Sequence, residues 1–295
     1  MRILLTGASG FLGRRLRREL RQKKHDVFCY DITLGYNIMY PDQIENTINN
    51  WKPDTVIHLA ALADLNIFKE KPDFGYQLNV IGTRNVLNLC KKYNLRLLFA
   101  STCCCYGNNN IHPSNEKSTL APTEPYAKSK KESEEEILKE GLPHCCMRLA
   151  TFYGPEMRGA LAPAIFIDKA CKDETIQVHG DGNQTRTLTY VDDIVSGIIT
   201  IAESKPKFTV INVTTEETIS VNKMVELTKI VTQKNPKIKH VQDREGQIYK
   251  EQISNNRLKS LGWKPLYTTD RGFLLSYEYY KINGMHKSSL ISNFF

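Results

Sequence analysis

Short apolar runs alternate along the first 150 residues with stretches whose apolar positions fall three or four apart. The first run, Arg2-Ile3-Leu4-Leu5-Thr6, leaves no room for a helix before Gly7. A helical pattern follows with Leu16 and Leu20 on one face, and then a second run, Val27-Phe28-Cys29-Tyr30, closes on Asp31. Residues 42–51 have helical spacing at Ile44 and Ile48, Pro53-Asp54 stops them, and 55–61 reads as a buried strand. A long helix over 74–93 carries Leu78, Ile81, Val86, Leu89 and Cys90, and a strand over 95–100 runs into Ser101-Thr102. After a polar, turn-rich loop over 108–125, a helix opens at Tyr126 behind Pro125, and 145–150 reads as a further strand. Continuous apolar runs suit strands covered on both faces. Their alternation with helices predicts an α/β fold, a doubly wound parallel sheet.

Beyond Pro155 the pattern loosens. Residues 175–178 read as a strand before Gly180-Asp181-Gly182, 187–191 as extended, and Asp192 as the cap of a helix to 202. A strand over 208–213 and helices over 221–231 and 252–261 follow. These elements predict a smaller C-terminal α+β substrate-binding domain. The expected division is 1–152, joined by 186–204, against 153–185 with 205–295.

The sharpest chemical signal is Gly7-Ala8-Ser9-Gly10-Phe11-Leu12-Gly13, between a strand and a helix. Gly7 allows the tight turn, Gly10 lets backbone N–H groups approach a pyrophosphate, and Gly13 lets the helix pack against the strand. Asp31, at the end of the second strand, is placed for a ribose 2′-hydroxyl, and its charge argues for NAD over NADP. Gly35-Tyr36-Asn37-Ile38 reads as a third strand end, which would lay Asn37 and Ile38 beside the adenine. The small residues Ala60 and Ala61 would let the cofactor pass close by. Ligands of such sheets collect at the carboxyl ends of the strands, which puts the glycine turn, Asp31, Ala60, Ala61 and Thr102 on one rim.

The chain has 295 residues, 41% hydrophobic and 24% charged, a composition that argues against disorder. Its apolar runs are too short for a spanning helix, and the first strand begins without a signal-peptide pattern, so a cytoplasmic protein is expected. The formal net charge of +8 would steer phosphorylated substrates or nucleic acid. The densest basic run, from Arg14 and Arg15 to Lys24, reads as a solvated helix face, so nucleic acid is not an expected partner. The run Lys131-Glu132-Ser133-Glu134-Glu135-Glu136 reads likewise as solvated surface. Eight cysteines lack C-x-x-C spacing, and no metal is expected. His58, inside a strand, reads as a hydrogen-bonded core residue.

With Gly7-x-x-Gly10-x-x-Gly13, Thr102 and Tyr126-x-x-x-Lys130 in that order, the chain resembles the extended short-chain dehydrogenase/reductases, and among them the nucleotide-sugar epimerase/dehydratase group. Tyr106-Gly107, Arg148 with Tyr153-Gly154-Pro155, Gln184-Thr185-Arg186, Tyr190-Val191-Asp192-Asp193 and Leu261-Gly262-Trp263-Lys264-Pro265 carry the likeness through nearly the whole chain. The resemblance implies a Rossmann-type domain with NAD on Gly7, Gly10, Phe11, Leu12 and Gly13, and Asp31, Asn37 and Ile38 at its adenosine half. Leu59, Ala60, Ala61 and Asn79 would lie along it, with Lys130 on the nicotinamide ribose. Tyr126 becomes the catalytic acid/base and Thr102 the partner of the reacting hydroxyl. A phenol titrating near about 10 is a poor base at neutral pH. The Lys130 ammonium, four residues on along the same face, is expected to lower that value. Arg186, Arg244 and Arg158 are the candidates for the substrate diphosphate, and Thr151 stands where the family often has Asn. The resemblance also implies a homodimer.

Two departures narrow the reaction. Cys103 and Cys104 stand where dehydrating and decarboxylating members carry acids, which favours C4 epimerisation with Thr102, Tyr126, Lys130 and NAD. Cys104 also resembles the thiol of an epimerase-reductase branch, so net reduction of a keto-sugar nucleotide stays open, with a non-catalytic cofactor-sensing or nucleic-acid-binding protein as a remote alternative. Thr187 stands where an Asp commonly follows the arginine.

Overall fold

The computed structural model describes residues 1–108, 112–243 and 247–284. Its strands are β1 (Arg2–Thr6), β2 (Asp26–Tyr30), β3 (Thr55–His58), β4 (Arg96–Thr102), β5 (His144–Leu149), β6 (Thr151–Tyr153), β7 (Ile176–His179), β8 (Thr185–Tyr190), β9 (Val210–Val213), β10 (Thr218–Ser220) and β11 (Ile238–Val241). Helices α1 (Phe11–Gln22), α2 (Pro41–Trp51), α3 (Leu65–Glu70), α4 (Pro72–Tyr76), α5 (Gly82–Lys92) and α6 (Pro125–Leu138) belong to the first half. Helices α7 (Ala162–Cys171), α8 (Val191–Ser204), α9 (Val221–Thr232), α10 (Asn256–Ser260) and α11 (Thr269–Asn283) belong to the second.

Six strands form a parallel sheet in the order β2-β1-β3-β4-β5-β9. Strand side chains alternate between faces, and the cores divide accordingly. Ile3, Leu5, Leu98 and Ala100 meet Leu12, Leu16 and Leu20 of α1 and Ile194 and Ile198 of α8 on one face. Leu4, Leu97 and Phe99 meet Ile44, Ile48, Val86 and Ile137 on the other. β9 lies in this sheet although the expected division assigns 205–295 to the smaller unit. The sheet order reverses at β1, between β2 and β3, so a crevice opens at the ends of β1 and β3 where the glycine turn begins. A second core of Tyr153, Phe166, Ile167, Ile176, Leu188, Met224 and Phe273 lies under the small sheets β10-β8-β6 and β11-β7.

Several expectations are corrected. Residues 35–38 form no strand end: Asp31 caps a short 3-10 turn, Ile32–Leu34, and Gly35 ends it in the left-handed region. The helix expected over 74–93 is α4, a π-turn over Gln77–Ile81, and α5. The one expected over 252–261 shrinks to α10. Tyr190, not Asp192, precedes α8 as its cap residue. Helices α3, α7 and α11 and strand β11 lacked a readable stripe; α7, Ala-Pro-Ala-Ile-Phe-Ile at its start, is apolar almost all round. Among the described residues no helix is long and apolar enough to cross a membrane, and no group of three or more His, Cys, Asp or Glu is placed to hold a metal.

Candidate active site

The glycine turn is built as its spacing demands, and each glycine has a different reason. Gly7 has φ +69°, and a Cβ there would lie 2.7 Å from the backbone nitrogen of Ala60. A Cβ on Gly13 would lie 2.1 Å from the carbonyl oxygen of Gly7. At Gly10 a Cβ would meet only the carbonyl oxygen of Gly7, at 3.3 Å, a tight contact but far looser than those at Gly7 and Gly13. What a Cβ would fill at Gly10 is space in front of the start of α1, which has no side-chain cap and no acid in its first turn. The helix carrying Phe11 and Leu12 thus presents uncapped N–H groups and the positive end of its dipole, a fit for a dinucleotide's pyrophosphate.

Asp31 is held against that turn. One carboxylate oxygen accepts the Ser9 N–H (3.0 Å), and the other accepts the N–H (3.0 Å) and hydroxyl (2.9 Å) of Thr33. An oriented carboxylate at the end of β2 suits a ribose diol. Asn37 is engaged in its own turn, its N–H donating to Gln43 (2.7 Å) and its side-chain oxygen accepting Met39 N–H (2.9 Å). Ile38 is buried. Leu59, Ala60 and Ala61 leave β3 half-buried, with Ala60 N–H donating to Thr6 (3.2 Å). Asn79 is fully buried, and its amide accepts from Leu62 N–H (2.7 Å) and donates to Leu62 O (3.1 Å) and Ser129 (3.2 Å). It fastens the β3 rim to α6 and so positions its neighbours.

The basic helix is corrected in part. Arg14 donates to Ser9 O (2.7 Å) and Glu156 (2.8 Å), and buried Arg15 donates to Asp192 (2.7 Å) and Pro155 O (3.0 Å). These two clamp the loop after Gly154 onto α1; they are not a solvated face. The acidic run is corrected likewise, because Glu134 is fully buried. It accepts Ser101 Oγ (2.6 Å) and pairs with Arg148, which in turn donates to Tyr106 (2.9 Å). That network backs the end of β4.

Thr102 closes β4, nearly buried, and its hydroxyl oxygen accepts Cys104 N–H (3.2 Å). It also acts to lower the pKa of Tyr126, whose ring meets Phe68 edge-on (6.4 Å). Lys130, one turn along α6, is 2% exposed and holds its ammonium 4.5 Å over the Phe99 ring. His58 stacks on the same ring (5.8 Å), fixed by Thr6 (2.6 Å) and Thr83 (3.0 Å). Burial, and then the Lys130 charge, lowers His58 to about 3, so it is a neutral core histidine. Burial lowers Lys130 to about 8.

Electrostatic tuning of the phenol differs from the expectation. Burial raises the Tyr126 pKa, nearby Cys104 and Cys105 add to the rise, and Arg158 and the Thr102 hydrogen bond oppose it. Arg158 is a cation that lowers the Tyr126 pKa in this structure. Arg158 lies 3.7 Å from Asp64, the cap of α3. Arg186 donates to Thr185 O (2.8 Å) and Ile248 O (2.7 Å) and faces Cys104 and Glu251 electrostatically. Thr151 begins β6 opposite Leu188. Arg244 lies outside the described residues. Cys104 is half-buried in the short turn Cys103–Tyr106; burial raises its thiol pKa, and its side-chain partner is Thr102, not a histidine or lysine.

Glu251 escaped the sequence reading. It sits in the polar stretch Tyr249-Lys250-Glu251-Gln252, which carries no motif, yet it is 5% exposed. The available signal was Thr187, since its N–H donates to the Glu251 carboxylate (3.0 Å).

A profile described as the NAD dependent epimerase/dehydratase family matches residues 3–214. A Methanocaldococcus jannaschii protein, named provisionally as a UDP-glucose 4-epimerase, is 30% identical over 285 residues, covering 89% of this chain and 93% of its own. The dTDP-D-glucose 4,6-dehydratase of Dictyostelium discoideum is 32% identical over 258 residues, covering 74% of this chain and 59% of its own. The crystal structure of the Thermotoga maritima UDP-glucose 4-epimerase with UDP-glucose superposes with a TM-score of 0.90 at 27% identity, covering 96% of this chain and 99% of that one.

Proposed function

The chain belongs to the NAD dependent epimerase/dehydratase family, an enzyme with NAD as its cofactor, and on that premise we propose that it is a nucleotide-sugar epimerase inverting C4 through a transient 4-keto sugar. The observation that carries this reading is that Thr102 at the end of β4 acts on the Tyr126 phenol, with Cys103 and Cys104, not carboxylates, following Thr102. Tyr126 acts in its ionised form, which burial disfavours and Arg158 favours; as the phenolate it takes the proton of the C4 hydroxyl while Thr102 orients that hydroxyl. NAD, when bound, would supply reversible hydride-transfer chemistry at C4. Once the keto sugar has turned its other face to the nicotinamide position, Tyr126 returns its proton to the C4 oxygen, and no acid is needed for elimination or decarboxylation. Lys130 binds the nicotinamide ribose from its buried position on α6. Arg186, Arg158 and Arg244 hold the diphosphate, for which a planar guanidinium is suited. Thr151 borders the sugar.

In the same reading NAD belongs to the first unit, with β9 added to it, and the sugar nucleotide to the second. Two copies pair through α5 and α6, beside which Tyr76 and Leu138 are exposed apolar groups. The test is incubation of the NAD-loaded protein with UDP-glucose, chosen because the T. maritima structure holds it. Formation of UDP-galactose without net change in reduced-nicotinamide absorbance is expected. Stoichiometric loss of reduced nicotinamide, or release of a 4-keto-6-deoxy sugar, overturns the reading.

A further inference from the structure

The turn Gly154-Pro155-Glu156-Met157, which follows β6, is held in a conformation that its sequence does not favour. Met157 N–H donates to Gly154 O (3.1 Å), and Glu156 has φ +69°. Proline second and a left-handed residue third make a type II pattern, whose third position suits glycine or asparagine. The other described non-glycine residues with positive φ, Lys24, Lys52, Asn94, Asp173, Lys205 and Gln233, all lie just past the end of a helix, where that conformation is ordinary. Glu156 does not. Its side chain shows what the position gains. Glu156 Oε2 accepts Arg14 Nε (2.8 Å), and Arg14 Nη1 donates to Ser9 O (2.7 Å) inside the glycine turn. Ser9 N–H donates to Asp31 (3.0 Å), and Arg15 donates to Pro155 O (3.0 Å). A line of hydrogen bonds thus runs from Asp31 through the glycine turn to the loop that carries Arg158, the proposed diphosphate ligand. On its other side this turn borders an open pocket with Ser276, Tyr279 and Tyr280 of α11, so it has room to leave α1.

We propose that Glu156 is a positioning residue that couples the two sites: with NAD on the glycine turn, its pair with Arg14 fixes the 154–161 loop, and a nucleotide diphosphate then binds more tightly at Arg158. The inference rests on the function proposed above. A strained turn held by side chains of a neighbouring helix has two arrangements, docked on that helix or relaxed away from it. An anionic pyrophosphate at the start of α1 attracts the Arg14 guanidinium to the glycine turn, and so favours the arrangement in which Arg14 meets Glu156. A diphosphate binding to a loop already fixed loses less freedom than one that must order it. The effect is reciprocal, so the diphosphate raises NAD affinity by the same factor.

The test is calorimetric titration of UDP into the protein with and without bound NAD. The wild type should bind UDP about tenfold more tightly with NAD, and Glu156→Gly should bring that ratio below about threefold. The Tm of Glu156→Gly should stay near that of the wild type, because glycine relieves the left-handed backbone as the ion pair is lost. A ratio below about threefold in the wild type overturns the proposal, and so does a ratio that stays above it in Glu156→Gly. A merely structural role gives that second result, with Tm lowered and UDP weakened in both forms while the ratio is kept. If Glu156→Gly does not fold, Glu156→Asn is judged by the same threshold; it also suits the left-handed position, and it is neutral and shorter by a methylene. UDP binding without coupling sinks this inference alone. Absence of UDP binding to either form of the wild type sinks the proposed function with it.

Discussion

The Lys130 ammonium stands 4.5 Å over the ring of Phe99, and the residue is sealed from solvent at 2% exposure. A buried charge of this kind weakens the fold. Its pKa is about 8 in the folded chain, against about 10.4 unfolded. Below pH 8 both states are protonated and the folded state bears the full desolvation penalty. As pH rises from about 8 to about 10.4, the unfolded chain binds more protons than the folded one, so stability rises. Lys130→Met should therefore raise the Tm of the NAD-free protein at pH 6.5, by up to about 3 kcal/mol in stability, with the gain shrinking by pH 10. Melts of both proteins at the two values check this; an equal gain at both would show that the charge is not the cause.

Gly10 and Gly13 should separate binding from folding. Gly13→Ala drives a Cβ to within 2.1 Å of a backbone oxygen and should destabilise the chain by about 2 kcal/mol or more. Gly10→Ala meets only the Gly7 carbonyl oxygen, at 3.3 Å, so its Tm should fall less than that of Gly13→Ala while NAD affinity falls by roughly 10–100-fold. Calorimetric NAD titration beside thermal melts reads both.

Tyr126→Phe keeps the ring against Phe68 and removes the phenolic hydroxyl. Turnover should drop by roughly 10²–10⁴-fold, with NAD content and Tm unchanged. A near-normal rate would take Tyr126 out of the mechanism.

Glu134→Ala leaves the Arg148 guanidinium buried without its carboxylate partner; the two side chains are 1% and 4% exposed. The expected cost is about 3–5 kcal/mol, read by urea denaturation. The double variant Glu134→Ala/Arg148→Met should recover part of it. No recovery would mean that the pair's packing, not its charge, is what matters.

Legibility in the sequence followed the range of the interactions. The strands from β1 to β5, α1, α2 and the turn Gly7–Gly13 could be read because each element's own periodicity reports which of its residues are buried. The α7 sequence gave no stripe because nearly every side of it meets apolar neighbours. Glu134 and Arg15 looked like surface charge because a charge run has the same spelling whether it faces water or a buried partner.

By itself, then, the sequence determined the alternation that makes a parallel sheet, the three glycines where a Cβ or a negative φ is not tolerated or would fill a ligand's space, and the order of Thr102, Tyr126 and Lys130. Only the tertiary structure decided which charges are inside: Lys130 over Phe99, Glu134 under β4, and Glu251 carried 64 residues along the chain to Thr187. Local pattern encodes the exposure of a face, whereas the partner of a buried charge is set by chain segments that meet only after folding.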